Sequence, residues 1–157
     1  MATAGPKILW KERAFFQNDL EALAAIEREA GDAAWTPIHI KYFTCHLTMD
    51  TRVITTDISD EPIAFYVVEH GDESLSINNI AVDPKWRRLG VASFALGLIE
   101  TLARELNYRQ IILDVQEQNL PAQLLYRKAG FQVAQIRKDH YDPGEDGYRM
   151  VKEVHPR

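Results

Sequence analysis

Along the chain, apolar residues change their spacing several times, and each change marks an element. Residues 8–11 alternate apolar and polar, which suits a short first strand. Asn18 followed by Glu21 has the form of a capping start. Leu20, Leu23, Ala24 and Ile26 then recur at helical spacing, with Gly31 as the stop. Thr36 before Pro37 reads as an N-cap with proline in the first helical position, predicting a second short helix over 38–49. The period then shortens. Residues 53–57, 62–70 and 74–82 are rich in Val, Ile, Thr, Phe and Tyr and are separated by turn residues, the pattern of an antiparallel run of three strands. Helical spacing returns over 88–106, with Val91, Ala95, Leu98, Leu102 and Leu106 on one face. A short apolar strand follows at 110–115, then a helix over 121–128 stopped by Gly130, then strands at 131–136 and 148–154. The polar stretch 138–147 is the longest irregular piece, and loops of that kind often carry function.

This order is strand, two helices, three strands, helix, strand, helix, two strands. It predicts one α/β (α+β) domain over residues 1–157, with no repeat and no linker. The chain has 157 residues, 46% of them hydrophobic and 26% charged, enough for one sizeable core. Its formal net charge of -5 argues against a sequence-independent nucleic-acid binder, which needs a basic surface, and suits a cationic partner such as an amine. Cys45 is the single cysteine, so no disulfide can form within the chain; it reads as a buried packing residue. No stretch approaches the ~20 apolar residues of a membrane span. Residues 1–6 lack a charged-then-apolar leader pattern. These features predict a cytoplasmic protein with neither membrane nor nucleic-acid partner. His39, His46, His70, His140 and His155 show no metal-ligand spacing, so no metal is expected. Trp35 and Trp86 read as packing residues.

The stretch Ile80, Ala81, Val82, Asp83, Pro84, Lys85, Trp86, Arg87, Arg88, Leu89, Gly90, Val91, Ala92, Ser93 carries the most chemistry. A strand ends at Val82, and two arginines and a Gly-x-Ala open a long helix. The first N–H groups of a helix have no intrahelical partner, and the dipole puts partial positive charge there, so a pyrophosphate can bind them. Gly90 and Ala92 keep side chains short enough for phosphate oxygens to reach the backbone. On its own the segment also fits a plain helix start with two solvated arginines. A dinucleotide site of the Rossmann type would need a clean Gly-x-Gly-x-x-Gly, which is missing.

A second constellation follows: Asn119, Ala122, Leu125, Tyr126, Gly130 and Phe131. The pair resembles the two signature motifs of the GNAT N-acetyltransferase superfamily. Arg87, Gly90 and Ala92 match Arg/Gln-x-x-Gly-x-Gly/Ala. The later residues match Asn-x-x-Ala-x-x-Leu-Tyr-x-x-x-Gly-Phe. The resemblance covers most of the chain. It implies a mixed, mostly antiparallel, splayed sheet of about seven strands flanked by about four helices. It also implies acetyl-CoA as donor, with its pantetheine along the backbone of Ile80, Ala81 and Val82 in the manner of an added strand. The pyrophosphate would sit on the amides of Arg88, Leu89, Gly90, Val91, Ala92 and Ser93, beside Arg87. Asn119 would bond the pantetheine arm and Tyr126 would lie near the thioester sulfur. The implied reaction is direct attack of an amine on the thioester carbonyl, with no metal. A phenol of pKa about 10 is well matched to protonate a thiolate near 8.5.

The amine must attack as free base. At neutral pH on the order of a fifth of an α-amine is neutral, against about 0.1% of a lysine side chain. The C-terminal half resembles the ribosomal-protein alanine N-acetyltransferases, in which the position of Asp114 carries a glutamate thought to act as general base. Asp114 is therefore the expected base, directly or through water, or else a contact for the ammonium; Glu117 is its rival and a candidate substrate contact. Tyr141 is expected to orient the substrate backbone; the family pattern of two adjacent tyrosines is His140–Tyr141 here. The implied acceptor is the N-terminal α-amine of a protein or peptide. Alternatives are a small amine, a polyamine or a lysine side chain, or a non-catalytic acyl-CoA-binding module.

Overall fold

The computed structural model describes residues 7–29 and 35–154. The order of elements is β1 (Trp10–Ala14), α1 (Leu20–Arg28), α2 (Pro37–Cys45), β2 (Met49–Thr56), β3 (Ser59–His70), β4 (Ser74–Val82), α3 (Val91–Glu105), β5 (Gln110–Gln116), α4 (Leu120–Lys128), β6 (Gln132–Arg137) and β7 (Gly147–Glu153). The strands form one mixed sheet in the order β1-β2-β3-β4-β5-β7-β6. β1 and β2 pair antiparallel, as do β5 with β7 and β6 with β7. β4 and β5 run parallel over Ser74–Ile77 against Gln110–Leu113, and both strands run on past that pairing.

By contacts the chain divides into two compact units. The first comprises the described residues of Met1–Val67 with Ile80–Ala92, and the second those of Val68–Asn79 with Ser93–Arg157. In the first, Leu23, Ala24, Ile26, Ile40, Val53, Phe65, Val67 and Ala81 form one buried cluster. Residues 63–68 of β3 are all buried without alternation, so this strand is covered on both faces. In the second, β5 alternates strictly. Ile111, Leu113 and Val115 are buried, while Ile112, Asp114 and Gln116 lie on the other, half-buried face. Glu100 of α3 is clamped by Lys152 of β7, which stands opposite Ile111 and whose Nζ also donates to the Ala129 carbonyl at 2.6 Å.

Several boundaries differ from the sequence reading for physical reasons. Asn18 does not cap α1. It lies in a 3-10 turn, Gln17–Asp19, where the Asp19 carboxylate accepts the Phe16 N–H at 2.8 Å and both terminal nitrogens of Arg13 at 2.7 and 2.9 Å. Thr36 does cap α2, accepting the His39 N–H at 3.5 Å, but that helix stops at Cys45, and Met49 opens β2. The buried face of α3 is Val91, Ala95, Ile99 and Ala103, and Leu106 is exposed past its end. Leu98 and Leu102 lie on the flank of that face and are half-buried. Cys45 is exposed, not buried. Trp35 stacks on Phe43 with ring centroids 4.2 Å apart, as a packing residue should. Gly31, His155 and residues 1–6 lie outside the described residues. Among the described residues no helix is long and apolar enough to cross a membrane, and no group of three His, Cys, Asp or Glu side chains is placed to hold a metal ion.

Candidate active site

At the end of β4 the chain turns sharply. Asp83 donates its N–H to the Ile63 carbonyl at 2.8 Å, and its carboxylate accepts the Lys85 N–H at 2.9 Å. These bonds set a short 3-10 turn, Pro84–Trp86. Arg87 then anchors the loop into α3: its Nε donates to the Val82 carbonyl at 3.1 Å and its Nη2 to the Glu29 carbonyl at 3.2 Å. Arg88 sits at φ 61 and Gly90 at φ 92, both left-handed. A Cβ on Gly90 would meet only the Trp10 ring, at an ordinary 3.6 Å. It is therefore the backbone conformation that favours glycine, not lack of room. α3 begins at Val91, so the N–H groups of Val91, Ala92 and Ser93 fall in its first turn and have no acceptor within the helix. Ile80 and Val82 are half-buried around buried Ala81.

In the second unit, Asp114 lies directly opposite Arg149 across the β5–β7 pair. The two side chains meet bidentately, Nε to Oδ1 and Nη2 to Oδ2, both at 3.1 Å. Arg137 Nη1 lies 3.8 Å and His140 Nε2 3.6 Å from the same Oδ2. Hydrogen bonding to this carboxylate raises the pKa of the Arg149 guanidinium. Both oxygens of the expected base, Asp114, are thus committed to one guanidinium.

The remaining candidates separate into supports and reactive groups. Asn119 Oδ1 accepts the Ala122 N–H at 3.2 Å and caps α4. Gln123 fastens the same turn, donating to the carbonyls of Gln116 at 3.0 Å and Glu117 at 2.8 Å. Tyr126 is half-buried, its ring edge-on to Phe131 with centroids 6.0 Å apart. Burial pushes its phenol up to about 12. Tyr141 is likewise raised to about 12, first by burial and then by the charge of Asp114, and it senses Tyr126 and Arg137 as well. Its ring needs Gly147, where a Cβ would stand 2.8 Å from Tyr141 Cε2. Glu117 is exposed and accepts the Tyr148 hydroxyl at 3.4 Å. Asp114, Tyr126, His140 and Tyr141 thus share one neighbourhood. Arg137, Gly147 and Arg149 join them there without having stood out in the sequence, while Tyr148 meets Glu117. One signal was available: Arg149 is a charge within the apolar last strand, which asks for a partner across the sheet.

The model of the acetyltransferase (GNAT) family matches residues 18–131. The [ribosomal protein bS18]-alanine N-acetyltransferase of Escherichia coli strain K12 is 30% identical over 139 residues, covering 83% of this chain and 85% of that protein. Among solved structures, the ribosomal-protein-S18-alanine N-acetyltransferase from Escherichia coli superposes with a TM-score of 0.84 at 23% identity, covering 95% of this chain and 96% of the other. Ard1 from Thermoplasma volcanium superposes with a TM-score of 0.83 at 24% identity, covering 93% and 98%. At those identities the two structures speak for the fold. The family match and the curated relative speak for more, and with the geometry above they lead to one conclusion: the chain belongs to the GNAT acetyltransferase family and is an acyltransferase that moves an acetyl group onto an amine.

Proposed function

We propose that the donor is acetyl-CoA and that the acceptor is the N-terminal α-amine of a protein or peptide. The chemistry rests on Tyr126, the phenol of the second motif, half-buried on α4 with its ring edge-on to Phe131. The acceptor class rests on the likeness, over 83% of the chain, to an enzyme named for acetylating a ribosomal-protein alanine. In this reading pantetheine lies along the backbone of Ile80, Ala81 and Val82. The pyrophosphate takes the amides of Arg88, Leu89, Gly90, Val91, Ala92 and Ser93, charge meeting the positive end of α3. Arg87 serves by holding the loop through the Val82 and Glu29 carbonyls. Asn119 keeps its Oδ1 on the helix cap and offers its amide N–H to the pantetheine arm.

The amine lone pair attacks the thioester carbonyl, and the developing oxyanion is met by a backbone N–H at the end of β4. The C–S bond breaks, and Tyr126 gives its proton to the leaving thiolate. Tyr141 orients the acceptor backbone and Glu117 attracts the incoming ammonium. A small-amine acceptor is the second reading, and it is favoured by the departures on the acceptor side: His140 in place of a tyrosine, and Asp114 tied to Arg149.

The test is free-thiol release from acetyl-CoA with a panel of amines that includes peptides beginning with Ala, Ser or Met. Turnover of such peptides above polyamines and free amino acids is the expected result. Turnover of small amines alone overturns the N-terminal reading, and acetyl-CoA binding without turnover of any amine overturns catalysis.

A further inference from the structure

The reaction needs a group to take the proton that the amine sheds, and the carboxylate at the expected position is occupied. Asp114 gives one oxygen to Arg149 Nε and the other to Arg149 Nη2, both at 3.1 Å, and Arg137 approaches at 3.8 Å. Both Asp114 oxygens are thus engaged by guanidinium groups that keep their charge. Asp114 of β5 and Tyr141 of the same loop stand against His140, and Arg137 of β6 and Arg149 of β7 meet the same Asp114 carboxylate. The arginines hold their protons at every working pH, and Tyr141 holds its own up to about 12. The imidazole is the one group of a type suited to taking up a proton and handing it on.

Geometry supports this. His140 Nε2 stands 3.6 Å from Asp114 Oδ2, and its ring is edge-on to Tyr141 with centroids 4.9 Å apart. Tyr141 in turn senses both Asp114 and Tyr126. The imidazole and the Tyr141 ring thus stand together beside the Asp114 carboxylate. We propose that His140 is the proton acceptor for the attacking amine, and that Asp114, locked by Arg149, holds the imidazole instead of taking the proton itself.

With Nε2 turned to Asp114, Nδ1 is the nitrogen that takes the proton. The amine nitrogen bonds to the acetyl carbon as the C–S bond breaks. One N–H proton passes to His140, and Tyr126 gives its proton to the thiolate. The proton on His140 then restores Tyr126 through solvent, so the products are the amide and free CoA and the enzyme is unchanged. Asp114 and Arg149 are positioning residues in this scheme.

This inference rests on the acetyltransferase reading, and the experiment separates the two. Steady-state rates are measured for the wild type, His140→Gln, His140→Gly with and without added imidazole, and Asp114→Asn, using the best peptide from the amine panel. His140→Gln is expected to lower kcat on the order of 100-fold, with the acetyl-CoA KM unmoved. Imidazole should restore a measurable part of the His140→Gly rate. Asp114→Asn should lose about tenfold, resist rescue by imidazole, and displace the acid limb of the pH profile without removing it. Wild-type turnover equalled by His140→Gln overturns the proposal while the acetyltransferase reading stands. So does an Asp114→Asn loss that exceeds that of His140→Gln and removes the acid limb. No turnover by the wild type on any amine overturns both.

Discussion

At the start of α3 the groups offered to an anion are backbone amides, aimed by the left-handed conformations of Arg88 and Gly90. Around Asp114 the working groups are side chains: Arg149 and Arg137 from two strands, His140 and Tyr141 from the loop between them. The first arrangement depends on φ angles and on where a helix begins, and it tolerates most side chains. The second depends on the register of three strands, and one residue can redirect its chemistry. In the proposed reading the donor is held by backbone and the acceptor is met by side chains. Arg149 belongs to the second group: it engages both oxygens of Asp114 across the β5–β7 pair.

The largest expected effect tests the side-chain half. Tyr126→Phe should lower kcat by about 10²- to 10⁴-fold and leave acetyl-CoA affinity as it was, read by steady-state rates and titration calorimetry. The pH dependence carries a sign. A proton donor works only while protonated, and burial pushes this phenol from an ordinary 10 up to about 12. Loss of kcat from this group therefore sets in as pH rises toward about 12, not near 10. An alkaline limb near 10 that vanishes in Tyr126→Phe contradicts that assignment. Equal loss of affinity and rate would show that Tyr126 belongs to donor binding, and the division between the two regions would fall.

The same contrast explains what could be read from the chain. The strand–helix order and the two motifs were legible because each is local. Gly90, Gly130 and Asn119 stand where a turn or a cap needs them. The acceptor side was less legible, because Asp114 and Arg149 are 35 residues apart and meet only through antiparallel register. A residue-by-residue resemblance transfers the carboxylate but not its neighbour. Gly147 is hidden for a related reason: its need for a small residue comes from the Tyr141 ring 2.8 Å from a would-be Cβ, a contact that spacing does not display. The exposed Cys45 and the shorter α2 are local misreadings, since no glycine or proline between Cys45 and Met49 marks the end of the helix.

A smaller effect is expected in the backbone half. Gly90 stands at φ 92, and a β-branched residue there costs about 1–2 kcal/mol of backbone strain or shifts the loop. Gly90→Val should weaken acetyl-CoA binding roughly tenfold, by that energy, and leave kcat at saturating donor nearly unchanged. Calorimetry and a saturation curve separate the two quantities. A fall in kcat with affinity intact would show that the loop shapes the chemistry as well as the hold on the donor.

The smallest effect sharpens the comparison most, because it concerns a charge that acts structurally. Arg87 is the motif arginine, and a phosphate role would follow from its charge alone. Its guanidinium instead donates to two backbone carbonyls, Val82 at 3.1 Å and Glu29 at 3.2 Å. Each such bond contributes on the order of 1 kcal/mol, and an exposed arginine contributes less than a buried one. Arg87→Met should therefore weaken acetyl-CoA binding only a few-fold, through a looser loop. Screening by salt acts on charge–charge attraction and barely touches bonds from a side chain to its own backbone. The dependence of acetyl-CoA affinity on ionic strength should thus be the same in Arg87→Met as in the wild type. If the substitution flattens that dependence, the guanidinium serves the pyrophosphate directly, and the loop is a side-chain site after all. If the slope holds while affinity falls, the amides carry the donor's charge and the arginine keeps them in place.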